Sequence, residues 1–160
     1  YENVETIKKL KGYIDIYLPD LKYSNDKISY KYSGIKHYFE SATAAIKEMY
    51  NQVGNPVLDE NGIMKKGLII RHLVLPNNLQ NSKDILKWIN DNIEKKVFVS
   101  IMAQYFPTHK SNQFPEINRK LTKEEYEEIE DYLYSLDLDN GYIQELGEHE
   151  EEYVPDFEGG

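Results

Sequence analysis

The run Gly67-Leu68-Ile69-Ile70-Arg71-His72-Leu73-Val74-Leu75-Pro76 limits the possible folds more than any other segment. Side chains of a strand alternate between faces, and this run is apolar at both parities, so it reads as a strand covered on both sides. Strands of that kind belong to parallel sheets whose connections are helices, and the flanking sequence supplies the helices. Tyr38, Ala42, Ala45, Ile46, Met49 and Val53 recur at helical spacing over about 37–53, and Gly54 closes the pattern. Downstream, Asn81 or Ser82 is suited to cap a helix that aligns Ile85, Leu86, Ile89 and Ile93. Val97-Phe98-Val99-Ser100-Ile101-Met102-Ala103 reads as a further buried strand. Thr122-Lys123-Glu124-Glu125 is a capping box opening a helix to about Ser135, with Tyr126, Ile129, Tyr132 and Leu133 inward.

The remaining segments complete the pattern. Residues 2–11 carry Val4, Ile7 and Leu10 at helical spacing before Gly12, and 13–18 form a β-branched and aromatic strand ended by Pro19. The polar stretch 23–34 reads as a loop, 55–66 as a connection, 105–121 as irregular, and 141–144 as a short fourth strand. Strands alternating with helices imply right-handed βαβ units in an α/β sheet, with adjacent parallel strands near 13–18, 68–75 and 97–104. Four strands are too few for a closed eight-stranded barrel, which leaves a small doubly wound sheet or half of a barrel. The expected layout is one α/β unit over 1–140, then a C-terminal strand and acidic tail over 141–160.

Charge narrows the partners. Lys and Arg number 19 against 28 Asp and Glu, a formal net charge of -9, which argues against nucleic acid. The excess concentrates in Glu124, Glu125, Glu127, Glu128, Glu130 and Asp131, and again in Glu145, Glu148, Glu150, Glu151 and Glu152. Both clusters read as solvated surface, a helix face and a tail. No stretch approaches the roughly 20 apolar residues of a membrane helix, and the start lacks a basic segment followed by an apolar one. A cytoplasmic protein with no membrane partner is the expectation. The chain begins with Tyr1 rather than Met, so it is expected to be a piece of a longer product. It has no cysteine, which excludes disulfides, thiolate catalysis and a cysteine-bound cluster held by this chain alone.

Ligands of α/β sheets bind at the carboxyl ends of the parallel strands, so the chemistry is sought there. The first strand ends in Pro19-Asp20-Leu21-Lys22, and alternation puts Asp20 and Lys22 on the face of Ile14, Ile16 and Leu18. A carboxylate and an ammonium at one tip suit a polar ligand, or else form a local ion pair in a turn. Arg71 lies in an apolar run, where a guanidinium needs either an acid from a neighbouring strand or an anionic ligand. His72 points to the opposite face, under a helix, where a structural role is expected. Gln104 and Tyr105 end the third strand with polar tips that can frame a nucleoside or cap the core. His37, His109 and His149 are scattered, and no metal pair, phosphate loop, dinucleotide fingerprint or nucleophile elbow is present.

Several segments together resemble one enzyme family: Asp15-Ile16-Tyr17-Leu18-Pro19-Asp20-Leu21-Lys22-Tyr23, Ala45-Ile46-Lys47-Glu48-Met49-Tyr50-Asn51-Gln52-Val53-Gly54, Ile70-Arg71-His72-Leu73-Val74-Leu75-Pro76, Val99-Ser100-Ile101-Met102-Ala103-Gln104-Tyr105 and Tyr153-Val154-Pro155-Asp156-Phe157. Their order and spacing are similar to the radical S-adenosylmethionine (SAM) enzymes of the pyruvate formate-lyase activating enzyme type, over about residues 10–158. The resemblance implies the C-terminal half of a partial (β/α)6 TIM-like barrel, strands four to six and the tail. It implies a [4Fe–4S] cluster, held by a cysteine triad in the other half, and SAM chelated to its unique iron. It implies reductive cleavage of SAM to a 5′-deoxyadenosyl radical that abstracts hydrogen, in activating enzymes from a glycine of a partner glycyl-radical enzyme. Asp20 and Lys22 match the family's Asp-x-Lys that contacts SAM, and Arg71 its strand arginine. The family's strand-six histidine is replaced here by Gln104 or Tyr105. Without the cysteine triad the chain alone binds no cluster and is expected to be inactive. The alternative is a stand-alone, non-catalytic interaction module using the acidic helix 122–135 and tail 145–152. In either case an unpaired edge on strand 13–18 and a partly open apolar face favour self-association.

Overall fold

The computed structural model describes residues 3–105, 107, 111–136, 138 and 140–143. Helix α1, Val4–Lys9, is capped by the Asn3 side chain accepting from the Glu5 amide. It is shorter than the 2–11 expected, because Leu10 already closes the last turn. Strand β1 is Ile16–Tyr17, two residues rather than six. Gly12 turns with φ 85°, Tyr13 stays 82% exposed, and Pro19 has no N–H to extend a ladder. Pairing nonetheless resumes at the tip, where Asp20 bridges Arg71 in the parallel sense.

The stretch read as a loop over 23–34 contains helix α2, Asp26–Ser33. Asn25 caps it by accepting from the Ile28 amide, and Gly34 ends it in the left-handed region at φ 67°. Its single fully buried side chain is Ser29, so hydrophobic spacing gave no sign of it. Helix α3, Tyr38–Val53, agrees with the spacing and buries Tyr38, Ala42, Ala45, Ile46, Met49 and Val53. The connection 55–66 holds strand β2, Val57–Leu58, which pairs antiparallel with the start of strand β3, Met64–Leu73. Gly67 sits inside β3 at φ 148°, and a Cβ there would lie 3.0 Å from Pro56 Cα, so any other residue would strain the close of the hairpin. Residues 74–76, expected within the strand, fall outside β3, although the Val74 amide still donates to the Met102 carbonyl at 3.0 Å.

Helix α4, Leu79–Asn92, begins before the residues expected to cap it: Asn78 holds the cap position, and Asn81 and Ser82 are buried in the first turn. Strand β4 is Phe98–Met102. Two 3₁₀ turns, Ser111–Gln113 and Pro115–Ile117, occupy part of the irregular stretch. Helix α5, Lys123–Ser135, opens with the expected capping box between Thr122 and Glu125 and buries Tyr126, Ile129 and Leu133. Strand β5 is Gly141–Ile143; Gln144 and the acidic tail, with Tyr153–Phe157 of the resemblance, lie outside the described residues.

The protein is therefore α/β. β1, β3, β4 and β5 are parallel and adjacent in chain order, with no reversal among the described strands. Helices cover one face. Leu68, Ile70 and His72 of β3 and Val99 and Ile101 of β4 are buried there with Ile46, Ile85, Leu86, Ile89, Ile129 and Leu133 from the helices. Each such aliphatic side chain contributes about 1.5–3 kcal/mol. Residues of opposite parity, Ile69, Arg71 and Leu73 on β3 and Phe98, Ser100 and Met102 on β4, are only half-buried. Among the described residues that second face has no covering layer, although the sequence of β3 reads as covered on both. No helix among the described residues is long and apolar enough to cross a membrane.

Candidate functional site

The parallel register lines up one row of residues across the open face. Asp20 bridges Arg71, Arg71 is opposite Ser100, and Ser100 is opposite Tyr142. The row lies near the carboxyl ends of the strands, with Leu73 opposite Met102 above it and Ile69 opposite Phe98 below. Over Asp20, Arg71 and Ser100 it forms a polar band between two apolar ones.

Arg71 Nε donates to Asp20 Oδ1 at 2.7 Å, with the two side chains 42% and 36% exposed. Of the two sequence readings of Arg71, the acid from a neighbouring strand is the one present. The pairing uses one guanidinium edge only. The terminal Nη1 and Nη2 groups have no partner among the described residues, so up to four N–H donors remain for a carboxylate or another planar anion. Asp20 pairs with Arg71 and not with Lys22, which removes the local turn ion pair. The Lys22 side chain is exposed, and its ammonium has no partner among the described residues.

The backbone that carries Asp20 and Lys22 is held by side chains. Leu21 N–H donates to the Arg71 carbonyl at 2.9 Å, and the Leu21 carbonyl accepts from His72 Nδ1 at 2.7 Å. A carbonyl only accepts, so Nδ1 carries the imidazole proton and Nε2 accepts from the Ser82 hydroxyl at 2.7 Å. Burial lowers the His72 pKa to about 4, and the ring is neutral at pH 7. Its expected structural role is what the contacts describe. Tyr38 Oη accepts from Lys22 N–H at 2.9 Å and donates to the Asp20 carbonyl at 3.3 Å. Burial raises its pKa, so the phenol stays protonated and able to donate. Asn81 Nδ2 donates to the Lys22 carbonyl at 2.9 Å, and Asn81 Oδ1 accepts from Ser24 N–H at 2.7 Å.

Gln104 and Tyr105 separate. Gln104 is exposed beyond β4, whereas Tyr105 is half-buried against the core. Burial, with the Tyr23 and Tyr32 phenols nearby, raises the Tyr105 pKa. Tyr105 lies past the last β4 residue, Met102, in a turn in which its amide donates to the Ala103 carbonyl at 2.7 Å. Ser100, Tyr38 and Asn81 belong to the site and were not anticipated. A serine inside an apolar run was the one visible sign of Ser100, and nothing in the spacing of Tyr38 or Asn81 distinguished them from core and cap.

Neighbouring loops are cross-linked. Glu125 receives Arg119 Nη1 and Nη2 at 2.8 Å each and the amides of Asn77 and Thr122, which lowers its pKa to about 2. Glu116 accepts from Lys31 and Tyr32, and its carbonyl accepts from Asn77 Nδ2. A cleft of about 550 Å³ opens beside β1, between α1 and α3 and bordered by the 18–23 tip. Among the described residues, no group of three or more His, Asp or Glu is placed to hold a metal ion. His37 is exposed and 3.7 Å from Asp26, and His109 and His149 lie outside the described residues.

No protein-family model matches the chain. It is 36% identical over 146 residues to an uncharacterized protein of Methanocaldococcus jannaschii. The match covers 86% of this chain and 37% of that protein, so the chain is similar to little more than a third of a longer archaeal relative.

Proposed function

We propose that this chain is the C-terminal half of a radical SAM enzyme similar to pyruvate formate-lyase activating enzyme, with its sheet forming half of a partial (β/α)6 barrel. The observation that carries the reading is the Asp20–Arg71 pair at 2.7 Å, with an unspent guanidinium edge at the carboxyl end of the sheet on its open face. The parallel strands in chain order fit a barrel segment, because a doubly wound sheet reverses its order at a switch point. The longer archaeal relative leaves room for the other half.

The residues present fit SAM in one respect: its amino-acid moiety carries a carboxylate that the free Nη groups of Arg71 suit. Asp20 orients that guanidinium, Lys22 supplies a second cation at the same tip, and exposed Gln104 remains a nucleoside contact. Half-buried Tyr105 is in this reading a second candidate contact to the nucleoside. The cluster does not fit this chain, which has no cysteine. Cluster and SAM together supply the reductive cleavage; these residues bind and orient. In this reading the complete enzyme is an oxidoreductase, a cytoplasmic one, that acts on a glycyl-radical enzyme or another protein.

The test is the complete protein. A Cys-x-x-x-Cys-x-x-Cys upstream, a [4Fe–4S] signal after reconstitution, and 5′-deoxyadenosine from SAM under reducing conditions are expected. Asp20→Ala and Arg71→Ala are expected to keep the cluster and weaken SAM binding roughly tenfold to a hundredfold, from the loss of one charged contact. A complete protein without the cysteine motif, or unchanged SAM cleavage in both variants, overturns the proposal.

A further inference from the structure

The free edge of β1 ends in an arrangement that a strand tip does not need for folding alone. The Asp15 and Pro19 carbonyls accept from β3, and Leu21 N–H donates to it. In a parallel strand alternate residues bond to the same neighbour, so the Asp20 carbonyl and Lys22 N–H point away from β3. No strand pairs there among the described residues, and Tyr38 takes the place of one. Its hydroxyl donates to Asp20 and accepts from Lys22, which is what the backbone of a neighbouring strand would do. Asn81 continues the arrangement by holding the Lys22 carbonyl and Ser24 N–H. Both side chains are almost fully buried, Tyr38 at 5% and Asn81 at 2% exposure, whereas Lys22, which they frame, is exposed. Two buried polar side chains from α3 and α4 are thus spent on the backbone around one solvent-facing ammonium.

We infer that Tyr38 and Asn81 are positioning residues that hold the 20–24 tip in its ligand-ready form, so that Lys22 is presented beside Asp20 and Arg71 without reordering when an anion binds. The inference rests on the reading of Lys22 as a ligand contact. A preformed tip avoids the ordering cost that a mobile one pays on binding.

Two measurements test it. In the 160-residue chain, hydrogen exchange is read amide by amide. The Lys22 and Ser24 amides are expected to be protected in the wild type. Tyr38→Phe, which removes one oxygen, should speed exchange at Lys22 at least tenfold, and Asn81→Ala should do so at Ser24. If Asn81→Ala does not fold, Tyr38→Phe alone decides this arm. Unprotected amides in the wild type, or unchanged exchange at Lys22 in Tyr38→Phe, overturns the inference. In the complete protein, SAM is the probe. Tyr38→Phe should weaken SAM binding about tenfold at unchanged cluster content, and in the Lys22→Ala background the loss should be smaller, what remains coming through the Asp20 carbonyl that Tyr38 also holds. Additive losses overturn the inference. If the wild type does not bind SAM, the proposed function fails, and the exchange arm still decides whether the tip is preformed.

Discussion

His72 gives the chain a stability signature in a pH window of its own. The ring is fully buried, donates from Nδ1 to Leu21 and accepts at Nε2 from Ser82, and burial lowers its pKa from 6.5 to about 4. The unfolded chain therefore takes up a proton at His72 as pH falls below 6.5, and the folded chain does so only near pH 4. Because the unfolded state binds more protons between those values, stability is complete above pH 6.5 and falls as pH is lowered toward 4. With one pKa unit worth 1.36 kcal/mol, the loss from this ring is about 2 kcal/mol by pH 5 and on the order of 3 kcal/mol by pH 4. The assay is urea denaturation at pH 7, 5 and 4 for the wild type and His72→Asn. Asparagine keeps a donor for Leu21 and has no proton to gain. The variant is less stable at pH 7, since it leaves a void and an unpaired Ser82 hydroxyl, and its disadvantage should shrink by about 2 kcal/mol at pH 5. Parallel pH profiles for the two proteins would refute the reasoning.

Glu125, with its pKa lowered to about 2 by Arg119 and two amides, contributes stability that is present above pH 4.5 and lost as pH falls toward 2, a window that overlaps only the acid end of the His72 one; Glu125→Ala should cost about 1–3 kcal/mol at pH 7 and flatten the profile between pH 4.5 and 2, as read by urea denaturation. Gly67→Ala puts a Cβ 3.0 Å from Pro56 Cα at φ 148° and should destabilise by about 1–3 kcal/mol in thermal melts, whereas an unchanged melt would mean that the β2 hairpin moves aside freely. The segments flanking β1 carry Tyr13 at 82% and Leu18 at 51% exposure, beside an apolar face with no cover among the described residues, so the chain should self-associate with rising concentration in sedimentation. Leu18→Lys should reduce that association, and a monodisperse wild-type monomer at high concentration would count against it.

The helices with wide apolar faces were legible, and the short polar elements were not. α3 and α5 could be read because a covered face repeats every three to four residues, and Thr122 and Glu125 mark the start of α5 in sequence. α2 escaped because it buries one serine and is fixed by its ends, Asn25 and Gly34. β2 escaped because a two-residue exposed strand has no periodicity to detect. β3 was over-read on its second face: Ile69 and Leu73 are apolar yet half-buried, since the apolar face they belong to has no cover among the described residues.

The same distinction separates the parts of the site. Asp20, Lys22 and Arg71 could be found because a charge at a strand tip or inside an apolar run conflicts with its surroundings, and one sequence carries that conflict. Asn81 gave no such conflict. An asparagine beside a serine ahead of an apolar helical pattern reads as a cap, and it is Asn78, three residues earlier, that holds the cap position. The extra turn of helix swings Asn81 and Ser82 inward, where one meets the Lys22 and Ser24 backbone and the other His72. A boundary error of one helical turn therefore concealed a contact spanning 59 residues of chain. Tyr38 was read correctly as core, and its ring is core, packed edge-on against Tyr23 at 5.3 Å. Its function as an edge partner depends on the one oxygen at the end of that ring. Periodicity places the ring by its apolar area, and only the fold shows which backbone groups the oxygen meets.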